Sequence, residues 1–356
     1  MICSVISSPK GGGAEFLVRE LNERYRRAGI EAHAIYFSGN QDELLGDESI
    51  IGVSPRNPIN IIKIRRHLKF LLQNSATKLV VHAHLTWPFF YVAVASVGLG
   101  NLKLIYTEHN TTNRRRRIPL WRYFERLVYQ RYSKVICISP GVYESLASWV
   151  GRRLKKRLVI IPNGSRIYSM ADRPTLVGRK PRLVSIGSLT PKKNFATALC
   201  AVSKIKAEID SYIIIGEGPE RSKLENLIRE FGLSDVVTLV GWSDSIETHL
   251  HAADIQVIPS LWEGFGLVAV EGMSTGLLVV ASNVDGLREV LGEDNPSATF
   301  VANVQDAQAW AEGLIRAMSK LNSDISGDLA LESRKRAEKF TLDTMALRYI
   351  DECLGI

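Results

Sequence analysis

Residues 258–282 of the chain read IPSLWEGFGLVAVEGMSTGLLVVAS. The stretch leaves one apolar run, passes through a turn at Gly264, Phe265 and Gly266, and continues as a helix from about Leu267 before a second apolar run. Short β-branched runs separated by a helix are typical of parallel strands covered on both faces. Backbone N–H groups at the start of such a helix favour an anion, so this turn is suited to a diphosphate.

Two carboxylates lie in this stretch, Glu263 in the loop and Glu271 in the first turns of the helix. A loop carboxylate can accept hydrogen bonds from the hydroxyls of a sugar. A carboxylate one or two turns along the helix can reach the hydroxyls of a ribose. The alternative is structural: Glu263 is then a solvated loop residue, and Glu271 complements the helix dipole.

The same alternation of short apolar runs and helical segments extends over the rest of the chain. A polar stretch with Arg and Pro, from Arg166 to Pro181, interrupts it. The pattern predicts two doubly wound α/β domains, residues 1–166 and 167–340, joined by a linker. Because ligands bind at the carboxyl ends of parallel strands, we expect the site in a cleft between the two domains. The strands are predicted at 2–8, 31–37, 79–85, 102–109, 134–139 and 157–163, then at 182–189, 211–218, 236–242, 254–260 and 277–282.

Length and composition exclude several classes of protein. The chain has 356 residues, of which 46% are hydrophobic and 23% charged, and these values are typical of a globular protein rather than a disordered or coiled-coil one. The longest apolar run, near residues 87–99, is shorter than the roughly 20 residues that a membrane span needs. The first residues show no signal-peptide pattern, and the four cysteines include no C-x-x-C pair. We therefore expect a reduced, cytoplasmic protein.

Positive charge is concentrated in one segment. Residues 114–157 contain 13 basic and 2 acidic residues, a net charge of +11, whereas the whole chain carries +8. Basic residues alternate here with aromatic ones, which favours a surface for anionic lipid headgroups. Single-stranded nucleic acid and a solvated helix with a buried apolar face are the alternatives. The predicted membrane and acceptor patch comprises Arg114, Arg115, Arg116, Arg117, Trp121 and Arg122.

Several nucleotide and metal motifs are absent from the sequence. The turn PKGGGAEF has Gly11 and Gly13, but Phe16 occupies the third glycine position of the dinucleotide fingerprint. The chain contains no Walker A loop, no H-E-x-x-H and no D-x-D pair. His82 and His84 share a strand face but have no carboxylate or thiolate companion in sequence. We expect neither a metal nor another cofactor.

The chain as a whole resembles the retaining glycosyltransferases of family 4, which have the GT-B fold of two Rossmann-like domains facing each other across a deep cleft. Glu263 and Glu271 match the E-x7-E signature of that family. Other segments match in order and spacing: GGG (11–13), VVHAH (80–84), TEH (107–109), CIS (137–139), IIPNG (160–164), IGSLTPKKN (186–194), GEGPE (216–220), LVGW (239–242) and DGLREV (285–290). The resemblance also implies that the tail, residues 341–356, packs back on the first domain.

The resemblance implies a role for individual residues. Glu271 would bind the donor ribose, Glu263 the hydroxyls of the donor sugar, and Lys193 the diphosphate. Catalysis would rest on His109, Glu263 and Lys193. The donor nucleotide and diphosphate would be bound by Gly12, Gly13, Ser188, Lys193, Gly216, Gly241, Trp242, Phe265, Gly266, Leu267 and Glu271.

The sequence departs from the family pattern at Ser188, where an arginine is common. One of the two usual diphosphate cations is therefore missing, and three explanations remain open. Ser188 hydrogen-bonds to the phosphate instead, Lys192 supplies the charge, or turnover is slower. Gly272 and Leu278 are smaller departures, which lie behind the expected site.

The implied activity is the metal-independent transfer of a hexose or N-acetylhexosamine with retention, from a nucleotide sugar, most simply a UDP-sugar. The acceptor would be a polyprenyl-linked glycan or a glycolipid in surface-polysaccharide or lipopolysaccharide assembly. The protein would bind peripherally to the inner face of an anionic membrane and would have no nucleic acid partner. A GT-B-type UDP-sugar epimerase and a non-catalytic binding protein of the same fold are the alternatives.

Overall fold

The structure is a computed structural model of the 356-residue chain, and it describes all residues except the following nine: Lys10, Ala76, Thr112, Pro119, Pro174, Thr175, Val177, Ile325 and Ile356. The side chains of Arg114 and Arg117 also lie outside this description. The chain divides into two compact units. Unit 1 comprises Met1–Gly164 and Leu342–Ile356, and unit 2 comprises Ser165–Thr341.

Unit 1 is built on a seven-stranded sheet with the order β3-β2-β1-β4-β5-β6-β7, in which every pairing is parallel. The strands are β1 (Ile2–Ile6), β2 (Ala32–Tyr36), β3 (Glu48–Ile50), β4 (Leu79–His84), β5 (Leu102–Glu108), β6 (Lys134–Cys137) and β7 (Leu158–Ile160). The helices between them are α1 (Gly13–Arg27), α2 (Asn60–Asn74), α3 (Thr86–Ala95), α4 (Trp121–Tyr129), α5 (Pro140–Val150) and α6 (Arg152–Lys155).

Unit 2 is built on a six-stranded parallel sheet with the order β10-β9-β8-β11-β12-β13. Its strands are β8 (Arg182–Ile186), β9 (Ser211–Ile215), β10 (Val237–Gly241), β11 (Ile255–Ile258), β12 (Leu278–Ser282) and β13 (Ala298–Val301). Its helices are α7 (Phe195–Lys204), α8 (Arg221–Glu230), α9 (Ile246–Ala252), α10 (Leu267–Ser274), α11 (Asp285–Leu291), α12 (Ala307–Ser323) and α13 (Asp328–Ala337).

The central strands are buried on both faces. Every residue of β1, β4, β11 and β12 is buried, so their side chains pack against helices above and below the sheet. In unit 1 this packing includes an aromatic cluster: the ring centroid of Phe89 lies 4.5 Å from that of Tyr106 and 4.5 Å from that of Tyr129. In unit 2 the fully buried Trp310 belongs to the core, and its Nε1 donates to the Val304 carbonyl at 3.1 Å.

The last helix, α14 (Leu342–Leu354), belongs to unit 1. The Arg24 Nε atom lies 2.6 Å from Asp343 Oδ1, which ties α1 to the start of α14. At the other end, Lys103 Nζ donates to the carbonyls of Glu352 and Cys353 at 3.0 and 2.9 Å. A lysine there satisfies carbonyls that the helix end leaves without an intrahelical partner.

The polar stretch between the predicted domains is anchored to unit 2. Asp254, at the start of β11, accepts two hydrogen bonds of 2.8 Å from the guanidinium of Arg179. It also accepts from the backbone N–H of Arg182 at 2.8 Å. Burial raises the pKa of Asp254, but the hydrogen bonds from these donors lower it by a larger amount. Its net pKa therefore lies below the usual value. The stretch is therefore held against the sheet by a charged cluster.

The predicted fold class, two doubly wound parallel α/β domains, is confirmed. The sequence pattern missed two strands, β3 and β13, with three and four residues respectively. Both lie at the edges of their sheets and carry no long apolar run, so local patterning does not reveal them.

Phe89→Ala is expected to lower the free energy of unfolding of unit 1 by about 3–5 kcal/mol, because it removes a ring at the centre of the aromatic cluster. Urea unfolding followed by circular dichroism measures this. Phe70→Ala is the matched control: its side chain is 61% exposed on α2, so a change within about 0.5 kcal/mol is expected. Equal effects of the two substitutions would contradict the packing described here.

Candidate functional site

In unit 2 the strand order reverses between β8 and β11, which are neighbours in the sheet. Open parallel sheets bind ligands at such a reversal, because the connections leave the two strands toward opposite faces and open a crevice. The loop after β8 carries Lys192 and Lys193, and the loop after β11 carries Ser260 and Glu263. The backbone N–H of Leu261 donates to the Lys192 carbonyl at 2.8 Å and joins the two loops.

Glu263 lies at the centre of this arrangement, with a side chain that is 8% exposed. Lys193 Nζ lies 2.5 Å from its Oε1 atom, and Lys192 Nζ lies 3.2 Å from its Oε2 atom. The Ser260 hydroxyl donates to Oε1 at 2.9 Å. Burial raises the pKa of Glu263, but the two ammonium groups and the hydroxyl outweigh it, and the net pKa is below its usual value. Glu263 is thus a charged carboxylate held between two cations.

Glu271 has the opposite electrostatic environment. Helix α10 begins at Leu267, and Gly266 precedes it with a φ of +98°. Residues with a Cβ atom rarely adopt this backbone conformation. Glu271 lies in the second turn and is partly buried, and no hydrogen bond to its carboxylate is found among the described residues. Burial raises its pKa to about 7, against a smaller lowering by Arg166. A partly buried carboxylate without a donor is suited to accept hydroxyl groups.

Other predicted donor-site residues follow neighbouring strands at the same edge of the sheet. Ser188 is exposed after β8, and Gly216 follows β9. The backbone N–H of Gly216 donates to the carbonyl of Gly241, the last residue of β10, at 2.8 Å. Trp242 comes next and is 74% exposed, so its indole face is accessible. The roles assigned to these residues stay predictions.

Two of the predicted residues have an evident structural function. Phe265 is buried, and its ring packs edge-on against that of Phe340 with centroids 5.5 Å apart. Its side chain belongs to the core of unit 2, so any contact with a ligand would come from its backbone. The Leu267 carbonyl accepts from the Ser165 hydroxyl at 3.3 Å.

In unit 1 the strand order reverses between β1 and β4. Gly12 and Gly13 follow β1 at the start of α1, and the backbone N–H of Gly12 donates to Glu15 Oε2 at 3.0 Å. A Cβ atom at Gly12 would approach nothing more closely than 3.5 Å, and the φ of −101° suits any residue. Internal packing therefore does not require glycine at this position.

His109 follows β5, next to β4 in the sheet, and His84 ends β4. The Nε2 atom of His109 lies 3.3 Å from the Nδ1 atom of His84. Burial lowers the pKa of His109 to about 4, so the imidazole is neutral at physiological pH. The role of His109 toward a donor sugar stays a prediction.

The predicted basic patch is tied into unit 1. Arg115 Nε donates to the buried Glu125 at 2.7 Å, and Arg116 lies 3.1 Å from the buried Glu108. Arg122 donates to the carbonyls of Trp149 and Ser148 at 2.7 and 2.8 Å. The Trp121 ring packs against those of Phe90 and Phe124. These three arginines are engaged by internal groups, and the side chains of Arg114 and Arg117 lie outside the described structure.

What α4 exposes is apolar. Its outward face, together with the preceding Leu120, carries a row at helical spacing, which we call the α4 stripe: Leu120, Tyr123, Phe124 and Leu127, exposed by 79%, 66%, 48% and 63%. The opposite face, with Glu125, Val128 and Tyr129, is buried. From the sequence, we expected basic side chains to form the exposed surface of this segment. In the structure, the exposed face of α4 is formed by apolar side chains instead.

Within the described chain, no three His, Cys, Asp or Glu side chains converge in a way that would hold a metal ion. Among the helices of this described part of the chain, none combines the length and the apolar composition that crossing a membrane requires. Metal independence stays a prediction.

Sequence reasoning missed Ser260, which donates to Glu263. Its signal was its position directly after a buried strand that ends at the ligand-binding edge. It also missed the partnership of Glu263 with both lysines. These residues are about 70 positions apart, and no local pattern connects them.

Family comparisons cover both units. Residues 11–165 match the family described as Glycosyltransferase Family 4, and residues 170–338 match the family described as Glycosyl transferases group 1. The chain therefore belongs to the glycosyltransferases whose two domains these families describe. The sequence-based assignment to this family is thereby confirmed.

Individual relatives match this chain over part of their own length. The amylovoran biosynthesis glycosyltransferase AmsK of Erwinia amylovora is 33% identical over 49% of this chain and 44% of its own. The UDP-Gal:alpha-D-GlcNAc-diphosphoundecaprenol alpha-1,3-galactosyltransferase of Escherichia coli is 29% identical over 45% of each. The chain spans about half the length of the curated relatives it matches.

A solved structure supports the fold over nearly the whole chain. The Anabaena protein HepE, in complex with UDP and glucose, superposes with a TM-score of 0.80 at 18% identity. The match covers 100% of this chain and 99% of that protein. At this identity the likeness shows the fold alone, and the predicted GT-B class is confirmed.

Glu271→Gln is expected to remove a pH dependence of stability. The pKa of Glu271 is raised on folding, so the folded protein binds more protons than the unfolded one between about pH 4.5 and 7. The contribution of this carboxyl to stability is therefore present at acid pH and lost as the pH rises toward 7. Urea unfolding at pH 5 and pH 8 should show a loss about 1–3 kcal/mol larger in the wild type than in Glu271→Gln. The same loss in both proteins would contradict the raised pKa.

Proposed function

We propose that this protein is a retaining, metal-independent glycosyltransferase that moves a hexose or N-acetylhexosamine from a UDP-sugar to a lipid-linked glycan or glycolipid in surface-polysaccharide assembly. The observation that carries the proposal is the cluster of Lys192, Lys193 and Glu263 at the strand reversal of unit 2, with Glu271 on the adjoining helix. It combines cations for a diphosphate with carboxylates for sugar hydroxyls, which are the two chemical halves of a nucleotide sugar.

The charge of the cluster fits an incoming diphosphate. Two ammonium groups face one carboxylate, so the cluster carries a net charge of +1 before any ligand binds. An anion drawn to the lysines competes with Glu263 for their N–H donors. Partial release from the lysines would leave Glu263, still held by Ser260, able to accept the hydroxyls of the donor sugar.

The reaction breaks the bond between the anomeric carbon and the diphosphate oxygen. Negative charge then develops on the leaving diphosphate, and the lysines stabilise it. With retention, the acceptor hydroxyl attacks from the face that the diphosphate leaves. Its proton passes to a phosphate oxygen of the leaving group, so the residues need not supply a base. Glu271 holds the ribose throughout.

Lys192 is the residue best placed to make up for Ser188. The Ser188 hydroxyl carries no charge, whereas Lys192 Nζ reaches the same carboxylate as Lys193 from a side chain that is 36% exposed. Of the three explanations for Ser188, we favour the one in which Lys192 supplies the second cation.

The nature of the donor and acceptor is inferred from the relatives. The Escherichia coli relative is named for a UDP-sugar donor and a diphosphoundecaprenol-linked acceptor, and the HepE structure holds UDP. AmsK is named for the biosynthesis of a polysaccharide. A lipid-linked acceptor requires the enzyme to work at a membrane surface, and we propose that this is the inner face.

For the membrane contact we propose the α4 stripe. Its four exposed apolar side chains would enter the boundary between headgroups and acyl chains. Helix α6 begins beside α4. Gly151, the residue before α6, lies so close to Arg126 of α4 that a Cβ atom added to it would be 2.9 Å from Arg126 Nη2. The exposed Arg152 and Arg153 of α6 are available for anionic headgroups. In this arrangement apolar burial provides the anchor, and charge provides the lipid preference.

Without added metal, UDP at about 100 times its dissociation constant is expected to raise the free energy of unfolding by about 2.7 kcal/mol. GDP, ADP, dTDP and NAD are expected to leave it unchanged. Lys193→Ala and Lys192→Ala should each weaken UDP binding by roughly tenfold or more, because each removes a charge-assisted hydrogen bond. Thermal-shift titrations measure both. Lys335→Ala, at a lysine that is 73% exposed, is the control and should bind UDP as the wild type does.

Stabilisation by NAD instead of UDP, or by none of these ligands, would overturn the assignment of the donor site. Glu263→Gln separates catalysis from binding: it should retain UDP binding and lose sugar transfer to a lipid-linked acceptor. Product formation from the donor without any acceptor would identify an epimerase. UDP binding without turnover in the wild type would identify a binding protein.

Leu120→Ser combined with Leu127→Ser is expected to reduce recovery of the protein with anionic vesicles in flotation by at least tenfold, since each leucine contributes about 1.5–3 kcal/mol when fully buried. Leu331→Ser with Leu347→Ser is the matched control, at leucines that are 58% and 68% exposed on α13 and α14. Charge reversal of Arg152 and Arg153 should lower recovery on anionic vesicles alone. Unchanged recovery of the stripe variant would rule out this surface.

A further inference from the structure

Unit 1 contains a cluster of three histidine rings. His82 and His84 point to the same face of β4, because residues two apart in a strand do so, and their ring centroids are 3.9 Å apart. The ring of His109, which follows the neighbouring strand β5, lies 5.6 Å from that of His84. The Nδ1 atom of His84 and the Nε2 atom of His109 are 3.3 Å apart and share a hydrogen bond.

The three rings are neutral. Burial lowers the pKa of His82 to about 3 and that of His109 to about 4, and it lowers the pKa of His84 well below the usual value. In the described part of the chain, none of the hydrogen-bond partners of these rings is a carboxylate. The hydrogen bond between His84 and His109 therefore contains a single proton, which belongs to one ring or the other.

The surroundings of His84 decide which ring carries it. Its other nitrogen, Nε2, is buried, and no hydrogen-bond partner for it occurs in the part of the chain that the structure describes. A buried N–H without an acceptor is more costly than a buried lone pair without a donor. The proton of His84 is therefore on Nδ1, and it is donated to His109 Nε2. His109 then carries its own proton on Nδ1, since a neutral imidazole holds one.

His82 belongs to a separate set of hydrogen bonds. Its Nε2 atom lies 2.8 Å from the Thr107 hydroxyl, which in turn lies 3.3 Å from the hydroxyl of Tyr349 on α14. His82 contacts His84 ring to ring, with the two planes tilted by 40°, and among the described hydrogen bonds it makes none with His109. It therefore provides a control for the packing of the cluster that leaves the hydrogen bond to His109 in place.

We propose that His84 is a positioning residue: it donates from Nδ1 to His109 Nε2 and holds His109 in the tautomer whose proton is on Nδ1. His109 then presents an N–H donor, at the nitrogen for which no partner is found among the described residues, to an oxygen of the bound sugar. The consequence for turnover rests on the proposed function. The tautomer itself does not, and it is measured separately.

The test compares His84→Leu with His84→Asn. Leucine removes the donor, whereas the asparagine amide can place an N–H where Nδ1 was. Two-bond 1H–15N spectra of protein labelled at its seven histidines distinguish the two neutral tautomers, and His109→Gln assigns the signals of His109. We expect His109 protonated on Nδ1 alone in the wild type and in His84→Asn, whereas in His84→Leu no donor selects the tautomer and signals of the form protonated on Nε2 should appear. His82→Gln should leave the tautomer unchanged.

Turnover should follow the tautomer rather than the stability. Both His84 variants lose the ring contact with His82 and should show a similar fall in melting temperature. His84→Leu should lose kcat by at least tenfold, with KM for the UDP-sugar changed less, whereas His84→Asn should stay within about threefold of the wild type. A wild-type His109 protonated on Nε2, or equal kcat losses in the two variants, would overturn the proposal. A wild type without transferase activity would overturn the proposed function and leave the spectra to decide the tautomer.

Discussion

Two-sided burial of the parallel strands is the constraint on which the rest of this structure depends. Because helices cover both faces of each sheet, the interiors of the central strands are mainly apolar, and buried polar side chains within them, such as Ser4 and Gln256, make hydrogen bonds. Polar side chains that must be both ordered and accessible are placed where strands end. His84 and His109 in unit 1 and the cluster around Glu263 in unit 2 occupy such ends, at or next to a reversal of strand order.

The two carboxylates of the E-x7-E stretch show how position sets chemistry. Glu263 and Glu271 are both removed from water, yet the pKa of Glu263 is lowered while that of Glu271 is raised to about 7. Two ammonium groups account for the first result, and burial, with no hydrogen-bond donor to the carboxylate found among the described residues, accounts for the second. A pair of groups with opposite environments is typical of a site in which each has its own task.

The histidine cluster and helix α4 show where prediction from sequence was incomplete. The sequence placed His82 and His84 on one face of a strand, but the link from His84 to His109 spans two strands and depends on their register. Likewise, composition identified a basic and aromatic segment, but it did not reveal that Arg115 and Arg116 pair with buried glutamates. What remains exposed on α4 is therefore the apolar side chains, because the cations have internal partners.

The sequence by itself determined the two-domain α/β class and the positions of Glu263 and Glu271 on a loop and a helix, since these follow from apolar periodicity, glycine turns and local spacing. The family was indicated separately, by the resemblance of its motifs to those of known glycosyltransferases. Only the tertiary structure decided the partners of Glu263, the raised pKa of Glu271 and the hydrogen bond between His84 and His109. Each of these depends on distances between residues far apart in the chain, which strand order and helix packing determine and local sequence does not encode.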